Sequence, residues 1–434
     1  MSDESCAPAP DPDAGQDGNG EQQLTEEERM LKEIAELKEL IDALQTRDMR
    51  GMAPHRKKLG QLEFKYHLSV EKKRLARAMS KFEEMHGALY SEPCLVCLDD
   101  FHVHASESLT EEFGCCGGFI CKTCLRDIKE SGMGLSKCPL CRESIDNTTE
   151  AEAAAKLMAL AERGVVWAQA DVGRRMMYGN AMFKKQGKTG LEWLNKAAAQ
   201  NDPAALFSLA TLGMASVLRK SDEEAKELMM KSANLGYALA NSWLAKVYLS
   251  GQNGFEKDTD EGYFRASVTF ALDDAIHEAA KLLGGCHFYQ DISEPSPFLA
   301  CYYLNIAASE DENGIVSCSY SGALSELSQH LHDGNIAIPG FNVVPTVLFW
   351  IRKSCDLGFN DAREQLKMWE SYGQSNCAHC KKKAQTGEKF KQCSKCKAEW
   401  YCSKGCQVEA WRAGHKNDCK RAAILNFDDY INAE

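Results

Sequence analysis

The chemistry most directly legible in this sequence belongs to its cysteines. Of twenty, eight fall between Cys94 and Cys141 and seven between Cys377 and Cys419, where His415 joins them. The first cluster reads Cys94-x-x-Cys97, Cys115-Cys116, Cys121-x-x-Cys124 and Cys138-x-x-Cys141. A two-residue gap lets a tight turn aim both thiolates at one tetrahedral metal, and thiolate is a preferred donor to structural zinc. The second cluster reads Cys377-x-x-Cys380, Cys393-x-x-Cys396, Cys402-x-x-x-Cys406 and His415-x-x-x-Cys419. Donors four residues apart share one face of a helix. Eight donors per cluster suffice for two ions each, so about four zinc ions are expected in all. A fifty-residue segment with few aliphatic side chains has too small a core to fold unaided, which makes metal binding part of folding.

The elements that must position these donors follow from composition and pattern. At 434 residues and 44% hydrophobic content, the chain is long enough for several domains with real cores. Cysteines concentrated in ligand-spaced clusters argue for a reducing compartment rather than a disulfide scaffold. No apolar run approaches the roughly 18 residues a membrane span requires, and the acidic start lacks a basic-then-apolar leader. A cytoplasmic or nuclear protein is expected. The net charge of -12, with fourteen acidic against five basic side chains in residues 1–50, argues against bulk nucleic-acid binding.

Residues 1–23 are acidic and nearly free of large apolar side chains, which predicts disorder. Residues 24–50 predict an amphipathic helix: Thr25 and three glutamates form its start, and Leu31, Ile34, Leu37, Leu40, Ile41 and Leu44 form its stripe. Barely three heptads leave either a coiled-coil dimer or ordinary packing on a neighbour. A break is expected at Gly51-Met52-Ala53-Pro54, followed by a basic helical linker over 51–90. Residues 55–81 carry nine Lys or Arg against two Glu, which reads first as a solvated helix leading into the first cluster and otherwise as a contact for acidic partners or phosphates, with the acidic N-terminal segment as a further, intramolecular partner.

The spacing in 91–148, ending in Cys-Pro-Leu-Cys-Arg, resembles a RING finger. The resemblance implies interleaved ligation, with Cys94, Cys97, Cys121 and Cys124 on one zinc and Cys115, Cys116, Cys138 and Cys141 on the other. Where the common pattern has a histidine, this chain has Gly118, and the run Cys116-Gly-Gly-Phe-Ile-Cys121 is closer to the all-cysteine variant. Either both adjacent cysteines ligate, or one is a bystander and His102 or His104 completes the site. The resemblance further implies docking of a ubiquitin-conjugating enzyme on Val96, Ile128 and Pro139, with Arg142 clamping ubiquitin's tail by hydrogen bonds. Such a ligase has no covalent catalytic residue of its own. RING-like folds also serve as plain binding platforms.

Residues 151–373 show self-similarity. An Ala-x-x-x-Leu-Gly-like signature recurs at Ala168, Ala205, Ala240 and Ala279, at offsets of 37, 35 and 39 residues. Small residues at fixed positions let paired helices approach closely and stack into one continuous core. The pattern resembles Sel-one-like repeats, relatives of the tetratricopeptide class, with about five or six units. Residues 285–345, with Pro295, Pro297, Pro339 and Pro345, predict irregular loops. Cys286, Cys301, Cys318 and Cys355 read as buried small hydrophobes. Lys188-Thr189 lacks the upstream glycine a phosphate loop requires, since Met182 stands there.

Residues 377–419, with Tyr401, Gln407 and Trp411 beside their ligands, resemble a MYND zinc finger. By that resemblance Cys377, Cys380, Cys402 and Cys406 share one zinc and Cys393, Cys396, His415 and Cys419 the other, while His379 stays outside. MYND fingers bind short proline-containing peptides. A tail, 420–434, follows. The expected fold is mainly α, a helical-repeat solenoid flanked by two small zinc-stabilised modules. The expected function is a zinc-binding adaptor and RING-type ubiquitin ligase, in which the repeats and the MYND finger recruit target proteins. The alternatives are a non-enzymatic scaffold and, further off, a transcriptional or RNA-associated regulator.

Overall fold

The computed structural model describes residues 24–44, 49–132, 135–145, 148–215, 217, 221–332, 343–416 and 419. The expectation for 1–23 and the tail 420–434 lie outside them. Glu26–Ala43 (α1) starts where expected: the Thr25 side chain and the Glu28 carboxylate cap each other's backbone, with three glutamates in the first turn. Its buried residues are Met30, Ile34 and Leu37, spaced as one helical stripe, whereas Leu31 and Leu40 are exposed. That stripe packs on the following helix of the same chain. Glu27 meets Lys73 at 2.6 Å, Lys38 meets Glu63 at 2.8 Å, and Lys58 pairs with Glu33.

That helix, Met49–His86 (α2), runs for 38 residues and corrects the expected break. The first helix ends at Ala43, and the second runs from Met49 on through Pro54 without a break. One lost amide donor near a helix start is outweighed when the turns that follow are held by tertiary packing. Phe64, Ala78 and Phe82 are buried, Leu68 and Leu75 partly so, and Glu71 lies on the same stripe. The charged member at its centre hides this face from a hydrophobicity reading.

The first cysteine-rich module follows as two short antiparallel hairpins and a helix. Glu92–Pro93 (β1) pairs with Asp100–Phe101 (β2), and Thr110–Glu112 (β3) with Phe119–Cys121 (β4), before Lys122–Glu130 (α3). Its core is small: Cys94, Phe113, Ile120 and Cys138. Phe82 of α2, Ala105 of the module, and Ala238, Val268 and Leu272 of the repeats share a further cluster, so module, long helix and array are packed together.

Twelve helices then form six consecutive pairs: Glu150–Glu162 (α4) with Val166–Tyr178 (α5), Gly187–Ala199 (α6) with Pro203–Met214 (α7), Asp222–Asn234 (α8) with Ala238–Ser250 (α9), Thr259–Leu272 (α10) with His277–Phe288 (α11), Pro297–Ala307 (α12) with Ile315–His332 (α13), and Val343–Asp356 (α14) with Asn360–Ser375 (α15). Every helix packs on its chain neighbours. The signature positions sit at the tight crossings. A Cβ on Gly173 would lie 2.9 Å from the Gly190 carbonyl and 2.8 Å from Leu194, and one on Gly284 would lie 2.8 Å from Leu304. Ala210 and Ala245, at the equivalent positions, are fully buried.

The irregular loops expected over 285–345 are corrected as well, because α11 to α14 cover most of that stretch. Pro297 opens α12 and Pro345 stands in the first turn of α14, where a helix has no use for an amide donor. Pro295 lies in the connection, and Pro339 is outside the described residues. Cys286, Cys301 and Cys318 are buried and Cys355 half-buried.

The second module contains Lys391–Gln392 (β5) paired with Trp400–Tyr401 (β6), then Lys404–Ala410 (α16) and a wide helical turn to His415. Its core of Phe390, Ala398, Trp400 and Tyr401 continues into Leu348 of α14 and Leu366 and Trp369 of α15. Among the described residues no helix is long and apolar enough to cross a membrane.

Candidate metal centres and docking residues

The structure gathers the sixteen expected donors into four groups: Cys94, Cys97, Cys121 and Cys124; Cys115, Cys116, Cys138 and Cys141; Cys377, Cys380, Cys402 and Cys406; and Cys393, Cys396, His415 and Cys419. Within each group the donor atoms all lie within 4.8 Å of one another. In both modules the donor pairs interleave.

Local backbone explains how. In four of the five Cys-x-x-Cys turns the residue after the second cysteine has positive φ: Leu98 (65°), Arg142 (64°), Lys381 (59°) and Lys397 (52°). The same four residues donate their N–H to the carbonyl of the first cysteine, each at 3.0 Å. One knuckle is thus built four times, twice in each module. The fifth turn, Cys121 to Cys124, instead begins α3, with Cys121 as its N-cap.

The donor chemistry fits zinc. Zinc–sulfur bonds of about 2.3 Å in a tetrahedron place sulfurs about 3.8 Å apart. Cys116 and Cys138 are 3.6 Å apart, Cys380 and Cys402 3.6 Å, and Cys393 and Cys419 3.7 Å. In each group backbone donors favour the anionic form of one sulfur, that of Cys94, Cys138, Cys377 or Cys393, while burial and the neighbouring sulfurs push others such as Cys115 and Cys124 up. Burial pushes the Cys94 thiol up, but N–H groups of Cys121, Cys97 and Val96 more than offset it and bring it down to about 7. The same balance brings Cys377 down to about 6.

His102 and His104 stand apart from these groups. His102 Nδ1 meets the Ser91 hydroxyl at 2.8 Å, and the His104 ring stacks on Tyr90 at 5.1 Å. Adjacent Cys115 and Cys116 both face Cys138 and Cys141. His379 meets Glu409 at 3.1 Å. Sequence reading missed Glu399, whose carboxylate lies 2.9 Å from His415 Nδ1 and also accepts the Tyr401 hydroxyl. It leaves Nε2 to face Cys393 and Cys396, at 3.5 and 3.8 Å. Such partners orient a ligating histidine and raise its basicity.

Val96 and Arg142 are exposed, and Ile128 and Pro139 half-buried, on the first module. Val96 lies inside the Cys94 knuckle and Pro139 inside the Cys138 knuckle, while Arg142 closes the latter. Two large exposed apolar residues on the same knuckles, Leu98 and Leu140, are 74% and 60% exposed and escaped the sequence reading.

Fold and sites together define a helical-repeat protein with cysteine-rich zinc-binding modules, an architecture for protein interaction. Residues 377–419 match the family model described as MYND finger. An F-box protein of Arabidopsis thaliana, At5g50450, is 30% identical over 207 residues, covering 44% of this chain and 55% of its own. Ubiquitin carboxyl-terminal hydrolase 16 of the same plant is 53% identical over 34 residues, 8% of this chain and 3% of its own. The chain thus spans about half of one relative and a small part of the other. Among solved structures, it is similar to a Sel1 repeat protein from Oxalobacter formigenes (20% identity, TM-score 0.35, 57% of this chain and 84% of that one). It is also similar to the c5321 antigen of uropathogenic Escherichia coli (15% identity, TM-score 0.36, 62% and 57%). The scores are low, and the repeat architecture rests on the six helix pairs themselves.

Proposed function

We propose that the chain is a RING-type ubiquitin ligase holding about four zinc ions, one in each four-donor group. When bound, zinc supplies a structural cross-link. The observation that carries the reading is the set of exposed Val96 and Arg142 with half-buried Ile128 and Pro139 on a module with two interleaved four-thiolate groups. In this reading the apolar members seat a ubiquitin-conjugating enzyme, and the Arg142 guanidinium holds ubiquitin's tail through charge-assisted hydrogen bonds. A target lysine amine attacks the partner's thioester, an amide forms, and the partner's cysteine leaves as a thiol. The repeats and the second finger recruit the target, with proline-containing peptides as the class for the finger. Thiolate ligation is suited to a reducing compartment, which supports the cytoplasm or nucleus as the site of this work.

The test is autoubiquitination by the zinc-loaded full chain with a panel of conjugating enzymes. Chains should form with at least one, and Ile128→Ala and Arg142→Ala should each lower the rate about tenfold or more. Since Arg142 already has positive φ, alanine there adds no new backbone strain. Absence of chains with every enzyme would leave the non-enzymatic scaffold. That second reading is favoured by Val408 and Trp411, 39% and 41% exposed on the second module, because they offer apolar docking area on a module other than the one that would carry the transfer.

A further inference from the structure

A cavity of about 480 Å³ lies between the first module, the length of α5, most of α7 and the start of α9. Five carboxylates line it (Glu107, Glu111, Glu112, Asp171 and Asp202) against the guanidinium groups of Arg174 and Arg175. Arg174 bonds to Glu107 and Asp171, and Arg175 to Asp171. Among the described residues Glu111, Glu112 and Asp202 have no ion-pair partner; burial pushes the Glu112 carboxyl up to about 7 and the Asp202 carboxyl up as well, so the wall's surplus of carboxyls over guanidinium groups is one that an entering cation would bring to full ionisation.

Two hydroxyls point to a missing occupant. Tyr237 and Thr110 line the cavity, are only 4% and 6% exposed, and have no side-chain hydrogen bond among the described residues. Neither hydroxyl oxygen is sealed in protein: both open onto the cavity, so whatever fills it is their partner. Helix starts would ordinarily invite an anion, but here they are already served. Asp202 accepts the Ala205 N–H at 2.7 Å, and the Ala238 N–H donates to the Ala105 carbonyl at 2.8 Å. Aromatic rings complete the lining, with Phe207 and Tyr237 centroids 5.4 Å apart and Trp167 nearby.

We infer that this cavity binds an arginine side chain of a partner protein's peptide segment. Carboxylates, two hydroxyls and aromatic faces spread around one space suit a flat guanidinium with five donors better than a compact ammonium. The volume also exceeds one side chain, leaving room for the flanking backbone. The inference does not rest on ubiquitin transfer, and its test reads binding alone.

The probe is the capped pentapeptide Gly-Ser-Arg-Ser-Gly, titrated against the zinc-loaded full chain by saturation-transfer NMR. Saturable binding is expected, with about tenfold weaker binding when citrulline, equal in shape but uncharged, replaces the arginine. The lysine peptide should fall between the two, and the glutamate peptide should not bind. Glu112→Gln and Tyr237→Phe remove one carboxylate and one hydroxyl; Tyr237 is the N-cap of α9, but its side chain makes no capping hydrogen bond, and each variant should weaken the arginine peptide about fivefold or more above pH ~7. Both variants should keep the wild-type melting temperature. Equal affinity for citrulline, preference for glutamate, no saturation by about 10 mM, or wild-type affinity in Glu112→Gln would each overturn the assignment.

Discussion

The Tyr303 hydroxyl donates to the Glu71 carboxylate, joining α2 to α12 across 232 positions of sequence. Arg74, one turn further along α2, gives the same carboxylate two hydrogen bonds of 2.7 and 2.6 Å and reaches the Ser267 hydroxyl of α10 at 2.8 Å. Its guanidinium also covers the Tyr263 ring at 4.4 Å. The long N-terminal helix is therefore latched to the array by a buried charged network as well as by Phe64 and Phe82. Breaking one side of a buried pair leaves the other charge uncompensated, which costs about 3–5 kcal/mol. Glu71→Gln should lose stability on that scale in urea unfolding, and the double variant Glu71→Leu with Arg74→Met much less. A loss below about 1 kcal/mol in Glu71→Gln would mean that apolar packing alone holds α2.

The same network makes the fold acid-sensitive. Burial pushes the His287 imidazole down to about 4, and its Nδ1 accepts the Ser296 N–H, so the neutral form carries its proton on Nε2, beside the Tyr263 hydroxyl. Burial alone would raise the Glu71 carboxyl, but Arg74 and Tyr303 reverse the sign and hold it below the usual carboxylate value. Both depressed groups stabilise the fold above their unfolded values and lose that contribution as pH falls through the folded ones. His287 acts first, between its unfolded value of about 6.5 and about 4, over which about 3 kcal/mol is lost. Glu71 follows below about 4.3. Zinc ligands also protonate in acid, so the readout is a difference: His287→Gln should flatten the pH dependence of melting between pH 6.5 and 4 relative to wild type. Parallel curves would show that the ring titrates freely.

Where the last repeat meets the second module, one glycine sets the spacing. A Cβ on Gly373 of α15 would lie 2.2 Å from Trp400 Cε3 of β6, a separation real atoms do not adopt. Gly373→Ala should force the finger away from α15, at a cost of about 1–3 kcal/mol. Limited proteolysis should then cut between α15 and the module before the repeats are touched, while bound zinc stays unchanged. Cutting at the wild-type rate would show that the indole moves aside freely.

How much of this was legible beforehand depends on how local each signal is. Thiolate pairs two residues apart and small residues at helix crossings act over one turn, so the four donor groups and the repeat pattern could be read from spacing. The α2 stripe could not, because Glu71 occupies its middle and is stabilised only by Arg74 and Tyr303, the latter far away in sequence. Pro54, Pro297 and Pro345 were misread for a related reason. Proline punctuates structure, but Pro297 and Pro345 stand in first turns, where the lost donor has little or no work to do, and the one hydrogen bond lost at Pro54, in the second turn of α2, is outweighed by packing further along. The cavity beneath β3 arises only when three separate helices meet the first module, which no single stretch encodes.

Glu399 is the residue whose role was least visible and is now most exposed to test. It stands between Ala398 and Trp400 with no ligand spacing to mark it, yet it meets His415 Nδ1 at 2.9 Å and accepts the Tyr401 hydroxyl. Holding Nδ1 fixes which nitrogen faces Cys393 and Cys396, and the carboxylate's charge makes that nitrogen a better donor. Glu399→Gln keeps the shape and removes the charge. It should weaken zinc at this group about 10–100-fold, measured by competition with a chromophoric chelator, while the group of Cys377, Cys380, Cys402 and Cys406 keeps its ion. His415→Ala should lose the ion outright, leaving one fewer zinc per chain by elemental analysis. If Glu399→Gln binds as tightly as wild type, the histidine is oriented by the Tyr401 and Trp411 rings at 5.9 Å on its flanks instead, and the carboxylate is only a surface neighbour of the site.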